Sequence, residues 1–235
     1  MRNALGALAA VVLIGVAACG SNPTDSYKKT DPATIAADAL TALKATTGIH
    51  LAGTVQLGSE TMTVDLTSDL SGGVTGTVVL AGSTLQILGT GGPRRTVYIK
   101  AGTDFWGKIA PASSAQLAGK WVQNVTLLPD VIKQLTLPNL MANEAKYPWE
   151  SAKPQLLGIG NVNGTASVQI TVTDRASTNG AQETLDVSAS VPHRVLRESE
   201  GTAFSLTFDR FDATVSAPAP AAADVVDLVK VLAKK

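Results

Sequence analysis

The chain is poor in the residues on which most site chemistry depends. It has one cysteine and two histidines, His50 and His193, in 235 residues. An internal disulfide framework, a multi-cysteine metal site and a three-histidine zinc site are therefore excluded. Lys and Arg number 19, and so do Asp and Glu; a net charge of zero lacks the basic footprint of a nucleic-acid binder. Aromatic residues make up only 4%. No apolar run reaches the roughly 20 residues of a bilayer-spanning helix. Neither a Gly-x-Ser-x-Gly elbow, a phosphate-binding Gly-x-x-x-x-Gly-Lys-Ser/Thr loop nor a His-Glu-x-x-His motif occurs, so nothing assembles a nucleophile, a base and an orienting group. What is abundant is apolar surface, 45% of residues, with 21 Gly and 11 Pro. That composition suits a folded chain of strands and turns.

The single cysteine is explained by where it lies. Arg2 supplies a positive start, residues 4–18 form an uncharged apolar run, and the run closes Val16-Ala17-Ala18-Cys19. This reads as a secretory signal peptide, and its end resembles the lipobox of bacterial lipoproteins. The resemblance implies thioether lipidation of Cys19, cleavage between Ala18 and Cys19, and a further acyl chain, such as palmitate, on the new amino group. Two or three chains anchor far more firmly than one, at about 0.8 kcal/mol per buried methylene. The expected organisation is a signal peptide at 1–18, a lipidated polar tether at 19–30, a folded domain at 31–216, and a Pro/Ala linker with a final helix at 217–235.

Within the domain, Asp31-Pro32 opens a helix as N-cap and first helical residue. Its apolar stripe of Ile35, Ala36, Ala39, Leu40 and Leu43 is expected to stop at Gly48. Short alternating runs follow at 51–57, 62–70, 74–80, 84–88 and 96–100, separated by Gly-rich turns and too close together for crossover helices, which predicts an antiparallel meander. Met62, Val64, Leu66 and Leu70 are expected on one face. Prolines 111, 129, 138, 148 and 154 limit the middle segment to short helices near 113–118, 129–135 and 140–145, with a strand at 120–125. Strand patterns return at 160–173, 183–191, 194–198 and 202–209, and Gly158 to Gly164 reads as a turn entering the first of these. Strands on both sides of a helical insert imply one sheet completed by two halves. Residues 221–235 are expected to form the amphipathic closing helix.

Candidate polar groups are few. Glu144 with Glu150 and Asp209 with Asp212 are conceivable acid pairs, more simply read as solvated carboxylates; His50 and His193 are expected to be surface or hydrogen-bonded residues. Trp106, Trp121, Trp149, Phe105, Tyr98 and Tyr147 concentrate in the central third, where they could pack short helices or wall a ligand.

Taken with the lipobox, several stretches resemble the LppX/LprAFG family of mycobacterial and related actinobacterial cell-envelope lipoproteins. They are the helix soon after the anchor, an expected strand pair running from Thr96-Val-Tyr-Ile-Lys100 to Phe105-Trp106, Gly119-Lys-Trp121-Val, Val162-Asn-Gly-Thr165, and Phe208-Asp-Arg-Phe-Asp212. The resemblance implies an α+β fold, a strongly curved antiparallel half-barrel like that of the LolA carriers, with helices on its concave side and an apolar cavity between them. It further implies a non-enzymatic protein without cofactor or metal, monomeric, held on the extracytoplasmic face of the cell membrane through Cys19. Its expected partners are the membrane, a lipid or glycolipid ligand and a membrane transporter. The expected inward, cavity-lining residues are Val64, Leu66, Val168, Ile170, Leu185 and Val187. An interaction or sensor lipoprotein acting on a membrane partner is the alternative.

Overall fold

The computed structural model describes residues 29–92, 95–125, 128–146, 149, 153–173, 182–216 and 218–233. The expected signal peptide, Ala18, Cys19 and most of the tether lie outside the described residues.

Helix α1, Pro32–Lys44, starts as the sequence requires: Asp31 Oδ1 accepts from Ala33 N–H at 3.0 Å, with Pro32 in the first turn. It ends earlier than expected, capped by Ala45 in helical conformation. Gly48 instead begins strand β1, Gly48–Leu57, and is small for a steric reason: a Cβ there would lie 1.7 Å from the Ala213 carbonyl oxygen.

Strands β2 (Glu60–Asp69), β3 (Val74–Leu80), β4 (Ser83–Gly89) and β5 (Val97–Lys100) continue the expected antiparallel meander. In β2, Met62, Val64 and Leu66 are buried on one face. Leu70 departs from that expectation. The strand stops at Asp69, whose Oδ1 accepts from the N–H groups of Ser71 and Gly73, and this turn leaves Leu70 exposed. Ser68 takes the inward place, its Oγ accepting at 3.1 Å from the N–H of Leu137, so a polar position ties helix to sheet.

Phe105 and Trp106, expected in a strand, lie in helix α2, Thr103–Ile109. Asp104 near its start and Lys108 near its end suit the helix dipole, and the two rings meet edge to face at 5.0 Å. A 3-10 turn (Pro111–Ser113), α3 (Ser114–Leu117), β6 (Trp121–Gln123), α4 (Leu128–Gln134) and α5 (Leu137–Lys146) follow. Pro111, Pro129 and Pro138 each occupy the first or second residue of a helical element, where a missing N–H leaves no bond unmade.

The second half contains β7 (Gln155–Val162), β8 (Thr165–Thr173), β9 (Gln182–Ser188), β10 (Val195–Glu200) and β11 (Phe204–Asp209). The single strand expected at 160–173 is a hairpin. Asn163 and Gly164 both take positive φ, 50° and 86°, the conformation that lets two residues join antiparallel strands; β7 thus occupies the stretch read as a turn.

Helix was expected from 221, but a 3-10 turn (Ala222–Asp224) leads into strand β12, Val225–Asp227, before α6, Leu228–Leu232. β12 pairs in parallel with β6, Val226 opposite Val122. Two β-branched residues beside an open ladder find backbone partners there, which overrides their helical spacing.

The twelve strands form one curved, unclosed sheet in the order β12-β6-β5-β4-β3-β2-β1-β11-β10-β9-β8-β7. Every pair but β12–β6 is antiparallel. The two meanders join where β11 lies against β1. Together with the six helices among the described residues this makes the fold α+β. The core lies between the sheet and the helices, with Ile35 and Ala39 from α1, Trp106 from α2, Ile132 from α4 and Leu137 from α5 fully buried against it. Among the described residues, no helix is long and apolar enough to cross a membrane.

Candidate functional site

Strands β1 and β3 end, and β2 begins, at the same end of the sheet. There the sheet and its helices part to leave an apolar pocket of about 460 Å³. Leu57 and Glu60 from the β1–β2 hairpin and Leu80 from the end of β3 form one side. Phe105 and Ile109 of α2 form another, and Val125, Leu128 and Val131 bring in the approach to α4 and its first turns. Leu228 of α6 completes the lining. Glu60 is the one charged residue among the nine, and its residue is exposed. The volume falls within the range of small-molecule sites, roughly 300–1,000 Å³. Such a surface offers dispersion contact and shelter from water, and little directional bonding.

A second cleft lies between α1, α5 and strands β10 and β11, near Leu43, Leu140, Trp149 and Phe208. At about 30 Å³ it has room for about one water, so it is a packing gap in comparison with the first.

The polar groups are arranged for structure. His50 is buried on the sheet face opposite Ile49 and Leu51, with Nδ1 2.5 Å from Asp209 Oδ1 and Nε2 3.0 Å from Asp65 Oδ1. With a carboxylate on each nitrogen, both ring nitrogens donate only when the imidazole is protonated. His193 Nδ1 lies 3.2 Å from the Ser188 carbonyl oxygen. Asp186, fully buried, accepts from Arg197 Nε at 2.7 Å and from Ser167 Oγ at 3.0 Å. Asp209 and Asp212 do not form an acid pair: Asp209 serves His50, while Asp212 accepts from Thr47 N–H at 2.9 Å and Arg194 at 2.8 Å. The Thr47 N–H foremost, then Arg194, holds the Asp212 carboxyl below its ordinary value. Glu144 is buried; Glu150 lies outside the described residues. Among the described residues, no group of three or more His, Cys, Asp or Glu is placed to hold a metal.

No protein-family model matches the chain, and no curated protein does. Among solved structures, LprF from Mycobacterium bovis superposes with a TM-score of 0.52 at 16% identity, covering 81% of this chain and 97% of that one. The chain has the fold of LprF. The lipoprotein LppX of Mycobacterium tuberculosis is also similar, with a TM-score of 0.46 at 18% identity over 80% of this chain and 100% of that one. The LprF fold is the one implied by the sequence resemblance to the LppX/LprAFG lipoproteins.

Within this LprF fold, Val64, Leu66, Val168, Ile170, Leu185 and Val187 all point into the core and are at most 1% exposed. Val168 pairs with Val187 and Ile170 with Leu185 across β8 and β9. None of the six lines the 460 Å³ pocket. They occupy mid-strand positions, where packing is dense, whereas the pocket is built from strand ends and helices. Strand alternation does not single out Leu57 and Leu80, because each is the last residue of its strand; the signal they carry is position, an apolar residue directly before Gly58-Ser59 or Ala81-Gly82. Of the central aromatic residues, Phe105 lines the pocket, Trp106 and Trp149 are core, and Trp121 is partly exposed beneath Lys100 Nζ at 5.8 Å. Tyr147 lies outside the described residues.

Proposed function

We propose that this protein is a non-enzymatic lipoprotein, tethered to the extracytoplasmic face of the cell membrane by acyl chains on Cys19, that takes up the acyl chains of a lipid or glycolipid and carries them across the cell envelope. The observation that carries this reading is the 460 Å³ pocket, lined by eight apolar residues and Glu60. Acyl chains enter it and leave water, each buried methylene contributing about 0.8 kcal/mol, while the polar head stays at the mouth beside the exposed Glu60. Affinity then depends on chain length more than on head-group bonding. The likeness to LprF supports the architecture such a carrier needs. Release passes the ligand to a membrane transporter, and the protein works as a monomer, residues 31–216 forming the carrier domain.

The test is mass spectrometry of organic extracts from the full chain purified out of an actinobacterial host. A stoichiometric acyl lipid, depleted when Val131 is replaced by Trp, is the expected result. Protein that copurifies with no lipid in that host overturns the reading.

A further inference from the structure

β7 forms one open edge of the sheet, and it exposes a cluster of large apolar side chains: Leu156 37%, Leu157 57% and Ile159 47% accessible. Leu156 pairs with Ile170 and Ile159 with Val168, so both lie on the core face, where the helices leave them partly exposed. Leu157 sits at the irregularity between Leu156 and Gly158. A long apolar edge left open is a surface that soluble proteins ordinarily blunt with charge. β7 itself has no charged residue from Gln155 to Val162.

Where the chain enters the fold identifies what covers this edge. Helix α1 touches both α5 and β7. Its carboxyl end is fixed near β1, β10 and β11, because Leu43 and Thr46 share a cleft with Ile49, Val195 and Phe208. A helix of 13 residues is about 20 Å long, close to the width of four strand spacings at about 4.8 Å. The end that reaches β7 is therefore the amino-terminal one. From there residues 19–31 lead back to Cys19, a span of at most about 40 Å. The exposed Lys29 before α1 and the exposed Lys153 before β7 add two cations.

We propose that the β7 edge is a membrane-docking surface: Leu156, Leu157 and Ile159 dip into the bilayer interface to which Cys19 is anchored, with Lys29 and Lys153 beside anionic head groups. This rests on the anchoring of Cys19. Docking turns a loose tether into a fixed orientation, since apolar side chains on the surface gain burial only when the anchor holds them at the interface.

The test uses the full chain, processed and lipidated at Cys19, in phosphatidylethanolamine–phosphatidylglycerol vesicles. The lipidated Cys19 has no free thiol, so a polarity-sensitive fluorophore reports from Leu157→Cys alone, or from Val79→Cys on β3 as the control. The expected result is a blue shift and about threefold quenching by doxyl lipids at 157 but not at 79, as for a shallow interfacial site. In the unlabelled protein, amide exchange along β7 slows at least about fivefold on moving from detergent to vesicles. Protein that floats with the vesicles while the 157 fluorophore stays aqueous overturns docking and leaves the anchor intact. Protein that does not float overturns the anchor and docking together. Equal quenching at 79 and 157, or a β7-to-β7 dimer forming without lipid, also overturns docking.

Discussion

Filling the pocket from α4 separates ligand binding from folding. Val131 lines the pocket and is only partly buried, so a larger side chain there grows into open volume. An indole displaces roughly four methylenes of a bound acyl chain; at about 0.8 kcal/mol each, Val131→Trp weakens a long-chain ligand by about 3 kcal/mol, or roughly 150-fold. The assay is displacement of a fluorescent acyl probe by a series of saturated chains. In the unmodified protein, affinity rises about fourfold per methylene until the pocket is full; in Val131→Trp the rise stops about four methylenes sooner. Unfolding free energies of the two proteins from urea titration stay within about 1 kcal/mol, because no packed residue is displaced. An unchanged plateau length in a folded Val131→Trp refutes the placement of acyl chains in this pocket.

Further outcomes follow from the proposed anchor and from local packing and polar contacts. Cys19→Ser removes the proposed thioether anchor, and the expected outcome is loss of palmitate labelling and of globomycin-sensitive processing. Gly48→Ala drives a Cβ into the Ala213 carbonyl oxygen, 1.7 Å away, and costs more than about 3 kcal/mol in urea unfolding, whereas Gly107→Ala, in a helix with nothing within 4 Å, stabilises by about 0.5–1 kcal/mol. His50→Ala leaves Asp65 and Asp209 facing each other without the shared ring; both carboxylates are more than half exposed, so the loss is held to about 1–2 kcal/mol. Asp212 is depressed below its ordinary 3.8, chiefly by the Thr47 N–H and then Arg194. Its contribution is therefore present above pH 3.8 and fades as pH falls through the lower, folded-state value; the stability gap between the unmodified protein and Asp212→Asn, from urea midpoints, is open at pH 7 and narrows below pH 3.8.

Local chemistry was legible in the sequence where one residue decides one bond. Asp31-Pro32 set the start of α1, and the alternation of Met62, Val64 and Leu66 set the buried face of β2. Reading failed where distant chain decides. Gly48 is small because Ala213 passes against it, a fact of tertiary approach that no neighbouring residue announces. Val225 and Val226 have helical spacing, yet the unpaired flank of Trp121–Gln123 draws them into a strand. The Asn163-Gly164 pair was a local signal whose meaning was misplaced: it marks the centre of a hairpin, not the entrance to a strand. The pocket was hidden for a different reason. Mid-strand alternation identifies what is buried, but a void depends on where elements fall short of one another, and that is set by strand ends and helix placement.

The parallel pairing of β12 with β6 brings Leu228 to a pocket whose other walls begin at Leu57. A chain emerging amino end first has its sheet and most helices before it has a closed pocket, since the residue that completes the lining follows nearly all the others. Under the proposed function, ligand capture is thereby deferred until export of the chain is almost finished. A carrier assembled in this order meets its cargo only in the compartment where it has already arrived.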